Sequence, residues 1–185
     1  MSKKDVAIGI PAFHAIETIK DTLASIQIQS YKSRCQVIIA NDDPADNGKY
    51  DFLKTLYPDL EIITVNCDKN AGPGIARQRA LDVCTAEWIT FIDADDIFIS
   101  PFSIESLLDN TTPNCIEVQG PFFQEIEQGK MSVAEKQQLI QMGQGVPPRM
   151  MPRNDVTHPW VFGRLYRVSF RREAGIKFSE LRAIN

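Results

Sequence analysis

The chain has 185 residues, 43% of them hydrophobic and 24% charged, enough for one domain with a sizeable core. Its formal charge of −4 is unevenly spread: residues 149–185 carry 8 Lys or Arg against 3 Asp or Glu, and residues 1–148 carry 12 against 21. A basic tail on an acidic body fits contact with a diphosphate, another anionic group or a membrane surface, and with no nucleic-acid module or interleaved aromatic pattern it excludes sequence-specific nucleic-acid readout. No apolar run approaches membrane-spanning length, and the first one is broken by Asp5, Gly9 and Pro11, too short for a secretory signal. Cys35, Cys67, Cys84 and Cys115 form no Cys-x-x-Cys pair, so they predict buried thiols in a reducing compartment rather than a zinc site. The expectation is a cytoplasmic protein that at most touches a membrane.

In chain order, Val6–Ile10 predicts a strand ended by Pro11, and Ile16, Ile19, Leu23 and Ile26 recur at helical spacing to about Gln29. Gln36–Ala40 is a second buried strand opening into the polar turn from Asn41 to Gly48. Tyr50, Leu53, Leu56 and Tyr57 give a short helix stopped by Pro58, and Leu60–Val65 a third strand. Pro73 suits the first turn of the next helix, whose Ala76, Ala80 and Cys84 form a small-residue face for close approach to a sheet. Arg77 and Arg79 ride its early turns; taken alone, such a pair is more often a solvated face.

Trp88–Ile92 is a fourth strand that stops at Asp93, Asp95 and Asp96. The order β-α-β-α-β-α-β with short connections predicts a mostly parallel sheet. Beyond Pro101 the pattern predicts a helix over Phe102–Leu108, a strand over Cys115–Val118, and a glutamine-rich helical stretch over Glu125–Gln144. A proline-containing loop over Gly143–Pro152, a strand or extended arm over Trp160–Val168 and a brief helix over Ser169–Glu173 follow. In an open α/β sheet the crevice outside the strand carboxyl ends is where ligands bind. Closely spaced carboxylates there repel unless a cation joins them, and a hard divalent ion holding a phosphorylated substrate meets that need. A lone DADD is more often a solvated acidic turn.

Four segments in order change that balance: VAIGIPAFHAIETIKDTLASI, VIIANDDPADN, NAGPGIARQRAL and FIDADD. Together they resemble the family 2 glycosyltransferases over nearly the whole chain, with their opening strand and Pro-Ala-aromatic turn, acid-bearing second strand, Asn-x-Gly and Ala-Arg segment, and Asp-x-Asp motif. The resemblance implies an α/β fold of the GT-A nucleotide-diphospho-sugar transferase type, a three-layer α/β/α sandwich with a mostly parallel central sheet. It implies one domain over residues 1–185, with a nucleotide-binding half at 1–100 and an acceptor-side half at 101–185 that is incomplete at its C-terminus.

The same resemblance implies that Asp95 holds Mn2+ or Mg2+ against the diphosphate of a nucleotide sugar, with a UDP-sugar preferred, and that Asp93 binds the ribose or assists the metal. Pro11, Ala12, Phe13, Asn41, Asp42, Arg77 and Ala94 complete the implied donor-binding set. The implied reaction is an inverting transfer to a hydroxyl of a carbohydrate, lipid-linked or protein acceptor. Asn41 stands where many members have an acid, and His14 where they often have Asn; as a lone histidine after a strand, His14 reads as a polar turn residue. HPWVFGRLY at 158–166 resembles the family's acceptor-side segment, but the chain ends before the acidic pair that supplies the base in many members. Asp155, His158 and Glu180 are the local candidates for that base. Two rivals stand beside this reading: a donor-binding module without its base, and a nucleotidyltransferase, which lacks its expected Gly-rich lysine motif here.

Overall fold

The computed structural model describes residues 4–120, 161 and 163–178. The strands are β1 (Val6–Ala12), β2 (Cys35–Asn41), β3 (Glu61–Val65), β4 (Trp88–Phe91), β5 (Glu117–Gln119) and β6 (Arg164–Arg167). The helices are α1 (Ile19–Gln27), α2 (Leu53–Leu56), α3 (Pro73–Val83), α4 (Ser103–Leu108) and α5 (Val168–Glu173). All six strands join one sheet in the order β3-β2-β1-β4-β6-β5. The first four are mutually parallel, as the alternation of elements predicts. β6 runs antiparallel to both β4 and β5, so the arm expected over Trp160–Val168 is a strand at its described end.

Two cores lie on the two faces of the sheet. One packs Ile19, Leu23 and Ile26 of α1, Leu53 of α2, and Ile104 and Leu107 of α4 against Ile8, Ile10, Val37 and Ile39. The other packs Ala76, Ala80 and Leu81 of α3 against Ala7, Ile38, Ile89 and Phe91. This is the three-layer α/β/α arrangement, and each buried Ile or Leu contributes about 1.5–3 kcal/mol of transfer free energy. The small face of α3 works as expected, because it lets the helix sit close over β1. Gly9 completes that approach: a Cβ there would lie 2.7 Å from the Phe91 ring and 3.3 Å from the Ala80 Cβ.

One boundary differs from expectation in an instructive way. β1 does not stop at Ile10 but runs through Pro11 to Ala12, paired with Ala40 and Asn41 of β2. Its ladder with β4 ends at Gly9, whose carbonyl accepts from Ile92 N. Backbone polar groups alternate between neighbours along a strand, so the missing N–H of Pro11 points to the β4 side beyond the end of that ladder and costs no hydrogen bond. The stretches expected over Glu125–Gln144 and Gly143–Pro152 lie outside the described residues.

The chain after the sheet centre is tied back by arginines. Arg172 Nη2 donates to the carbonyls of Leu81 (2.8 Å), Asp82 (3.3 Å) and Cys84 (2.8 Å), capping the C-terminus of α3 with a positive charge where the helix dipole is negative. Arg167 lies over the Trp88 ring at 4.4 Å. Cys35, Cys67 and Cys84 are buried and free, in agreement with the sequence reading, and Cys115 is half-buried.

Candidate functional site

β1, β2 and β4 are parallel neighbours, so their carboxyl ends bring Pro11–His14, Asn41–Asp43 and Asp93–Asp96 to one edge of the sheet. Along that edge the acids have very different surroundings. The Asp42 side chain is almost wholly buried and accepts from the Ala71 N–H (3.1 and 3.2 Å to its two oxygens), the Gly72 N–H (2.6 Å) and Arg79 Nη1 (3.0 Å). Gly72 holds φ at 89°, a left-handed conformation open to glycine, and this aims the backbone amides before α3 at the carboxylate. Asn41, fully buried, spends its amide within its own loop. Its Nδ2 donates to the Asp43 carbonyl (2.8 Å) and Asn47 Oδ1 (2.9 Å), and its Oδ1 accepts from Asp43 N (3.0 Å). An aspartate could not make both of those donations, which explains an amide at this position.

On the other side of β1 the strand tip of β4 is open. Arg77 Nη2 donates to Asp93 Oδ1 at 2.5 Å, an ion pair with the arginine side chain only 14% exposed. The Arg77 Nε is buried without a hydrogen-bond partner. Asp95 is exposed and has no hydrogen bond or ion pair among the described residues. The turn that carries it is fixed by Asp96 N donating to the Asp93 carbonyl (3.0 Å) and Thr22 Oγ1 donating to the Asp96 carbonyl (2.8 Å). Ala94 and Ala12 are buried, Pro11 is half-buried, and Phe13 is 53% exposed at the mouth of the edge. An uncommitted carboxylate beside one already polarised by a guanidinium suits a divalent ion that takes its remaining ligands from phosphate and water, so the donor set fits Mg2+ or Mn2+.

Arg77 and Arg79 are therefore not a solvated face. Two positions apart on a helix they point about 200° apart, and α3 lies over β1, so one reaches the tip of β4 and the other the tip of β2. That spacing was visible in the sequence; the acid each arginine meets was not. Sequence reasoning also passed over Asp43 and Asp46 as turn chemistry. The structure brings them to His14, whose Nδ1 lies 2.9 Å from Asp43 Oδ2 and 3.7 Å from Asp46 Oδ2. Asp155, His158 and Glu180 lie outside the described residues. Two shallow clefts bordered by Glu87 and Trp88 lie at the amino end of β4, the edge opposite these acids.

The family model for glycosyl transferase family 2 matches residues 7–173. The chain belongs to that family. It is 30% identical over 95 residues to the Escherichia coli UDP-Glc:alpha-D-GlcNAc-diphosphoundecaprenol beta-1,3-glucosyltransferase WfgD, an alignment covering 51% of this chain and 36% of that one. The fold is similar to that of Staphylococcus aureus TarS residues 1–349 in complex with UDP, with a TM-score of 0.71, 17% identity, and 95% of this chain and 50% of that one covered. It is also similar to the mannosyltransferase PcManGT from Pyrobaculum calidifontis in complex with GDP-Man and Mn2+, with a TM-score of 0.64, 16% identity, and 97% and 49% covered. These likenesses bear out the GT-A type of α/β fold. The chain spans about a third of the length of the curated relatives it matches. No helix among the described residues is long and apolar enough to cross a membrane.

Proposed function

We propose that this chain is the glycosyltransferase domain of a metal-dependent, inverting enzyme that takes a UDP-sugar and transfers its sugar to a hydroxyl of a carbohydrate, lipid-linked or protein acceptor. One observation carries the reading: in a family 2 chain, Asp95 stands exposed and, among the described residues, without a partner at the tip of β4 while its neighbour Asp93 is held by Arg77. Asp95 and Asp93 would hold Mn2+ or Mg2+, which when bound offsets the negative charge gathering on the departing nucleoside diphosphate. Arg77 fixes the rotamer of Asp93 and brings positive charge to the same edge. Phe13 offers an exposed aromatic face on which a base can stack, beside Pro11 and Ala12. The UDP complex of TarS and the uridine donor named for the E. coli relative support the choice of base, and the Mn2+ complex of the mannosyltransferase supports the ion. The lipid diphosphate in the relative's name, together with the basic residues 149–185, supports an acceptor carried on a lipid.

We place the whole of residues 1–185 in one domain, its first hundred residues serving the donor and the remainder the acceptor side, and we place the protein in the cytoplasm. The base that takes the acceptor proton is sought first among Asp155, His158 and Glu180. Calorimetry with UDP in Mn2+ and then in EDTA tests the reading. Saturable UDP binding that requires the ion is expected, and equal UDP affinity in EDTA overturns it.

A further inference from the structure

A second cluster lies on the other side of the same edge, away from Asp95 and Arg77. His14 follows β1, and Asp43 and Asp46 lie in the loop after β2; one ligand atom from each falls within 4.8 Å of the others. Both acids are buried, Asp43 8% and Asp46 5% exposed, and His14 is open to solvent. Each carboxylate commits one oxygen to the protein and turns the other toward His14. Asp43 Oδ1 accepts from Ala45 N (2.9 Å), and its buried Oδ2 receives no hydrogen bond although His14 Nδ1 lies 2.9 Å away. Asp46 Oδ1 accepts from Lys49 Nζ (2.8 Å), and its Oδ2 lies 3.7 Å from the same imidazole nitrogen. The fully buried Tyr50 phenol beside them is pushed above its ordinary pKa, first by burial and then, against a hydrogen bond from Ala15, by the charges of Asp46 and Asp43.

Two buried carboxylates turned toward one ring nitrogen, with a buried oxygen that no donor satisfies, call for a cation between them. Ligands that share a zinc ion at about 2.0–2.2 Å stand roughly 3–4 Å apart in a tetrahedral shell; His14 Nδ1 lies 2.9 and 3.7 Å from the two carboxylate oxygens, and the three groups come within 4.8 Å of one another. We propose that His14 Nδ1, Asp43 Oδ2 and Asp46 Oδ2 form a zinc-type site, distinct from the Asp93–Asp95 edge, with the fourth position open to water beside the exposed histidine. One nitrogen and two oxygens select a borderline ion such as Zn2+ over Mn2+ or Mg2+, which favour all-oxygen shells. The site pins the turn after β1 to the loop after β2. Phe13, whose ring centroid is 4.1 Å from that of His14, is held with it.

The test uses the full 185-residue chain carrying Asp95→Ala, so that the strand-tip acids cannot account for binding. Zn2+ titrated by calorimetry should bind with one equivalent, and Co2+ in its place should give the visible bands of a four-coordinate site. His14→Asn suits the left-handed backbone at φ 50, and Asp43→Asn preserves the acceptor for Ala45 N. Each should weaken Zn2+ by at least about tenfold with the unfolding midpoint of the metal-free protein held. Absence of a stoichiometric Zn2+ site overturns the proposal and leaves a simple His14–Asp43 ion pair; so does Zn2+ affinity that neither substitution changes. Both readouts are independent of UDP, so they stand or fall apart from the donor reading.

Discussion

The tips of β2 and β4 carry the same residue type to the same edge of the sheet and put it to opposite uses. Asp42, at the tip of β2, is surrounded by donors: two backbone amides and the Arg79 guanidinium converge on its carboxylate. Asp95, past the tip of β4, meets no protein donor at all among the described residues. A carboxylate whose lone pairs are filled by the protein holds the protein together, and one whose lone pairs face water is available to a ligand. Asp93 stands between the two, partnered by Arg77 yet with its side chain 35% exposed. On the proposed reading, the gradient from closed to open along one edge marks where the metal ion would enter.

The comparison predicts different losses at the two tips. Asp42→Ala removes the acceptor of Arg79 Nη1 and of the Ala71 and Gly72 amides, and urea unfolding should show a loss of about 3 kcal/mol. If Asp42 instead serves the donor, as the family resemblance implies, Asp42→Asn will lower UDP affinity while leaving the urea midpoint in place. At the other tip, Asp95→Ala removes no hydrogen bond or ion pair among the described residues, and its unfolding free energy should stay within about 0.5 kcal/mol of wild type. Its UDP affinity in Mn2+ should fall by at least about a hundredfold by calorimetry, because a ligand of the ion is gone. An unchanged affinity removes Asp95 from the site.

Arg77→Ala probes the middle of the gradient. It frees Asp93 and removes a guanidinium whose Nε already lacks a partner, so little stability is lost, about 1 kcal/mol for a half-open ion pair. UDP affinity should drop about tenfold, since Asp93 is no longer oriented and a positive charge has left the edge. A variant that does not fold would show that the arginine serves the packing of α3 rather than the ligand.

Much of this edge was readable in the sequence because it rests on local rules. Four strands with parallel order follow from short β-branched runs alternating with helical spacing, and Pro73 and the small face of α3 fix how that helix enters and how closely it lies. The acids after β4 were legible because a buried run ends at them. What was not legible is pairing across the sheet. Arg79 meeting Asp42 depends on α3 crossing over β1, and His14 meeting Asp43 and Asp46 depends on two loops separated by α1 and β2 folding to one place. Pro11 misled for a related reason: its missing donor matters only if a neighbour strand is present, and β4 has already ended.

β2 carries the comparison to its own other end, where the effect is smallest because it is silent at neutral pH. Asp42 follows the carboxyl end of β2; Cys35 begins the strand at the amino end, 2% exposed, and burial pushes its thiol from 9.0 up to about 12, with Lys4 opposing and Asp5 adding to the shift. A thiol is neutral while protonated, so the folded chain keeps its proton until about pH 12 while the unfolded chain releases it from about pH 9. The unfolded state thus binds fewer protons across that window, and unfolding free energy falls as pH rises through it. Below pH 9 both states are protonated and Cys35 contributes no slope. The buried Tyr50 and Tyr166 are raised in the same direction and add to the alkaline slope, so the signal of Cys35 is a difference: Cys35→Ala should show a shallower loss of stability between pH 9 and 12 than wild type, with the two slopes equal at pH 7. Urea unfolding at a series of pH values measures this, and identical alkaline slopes would mean that the amino end of β2 admits water that the fold, as described, keeps out.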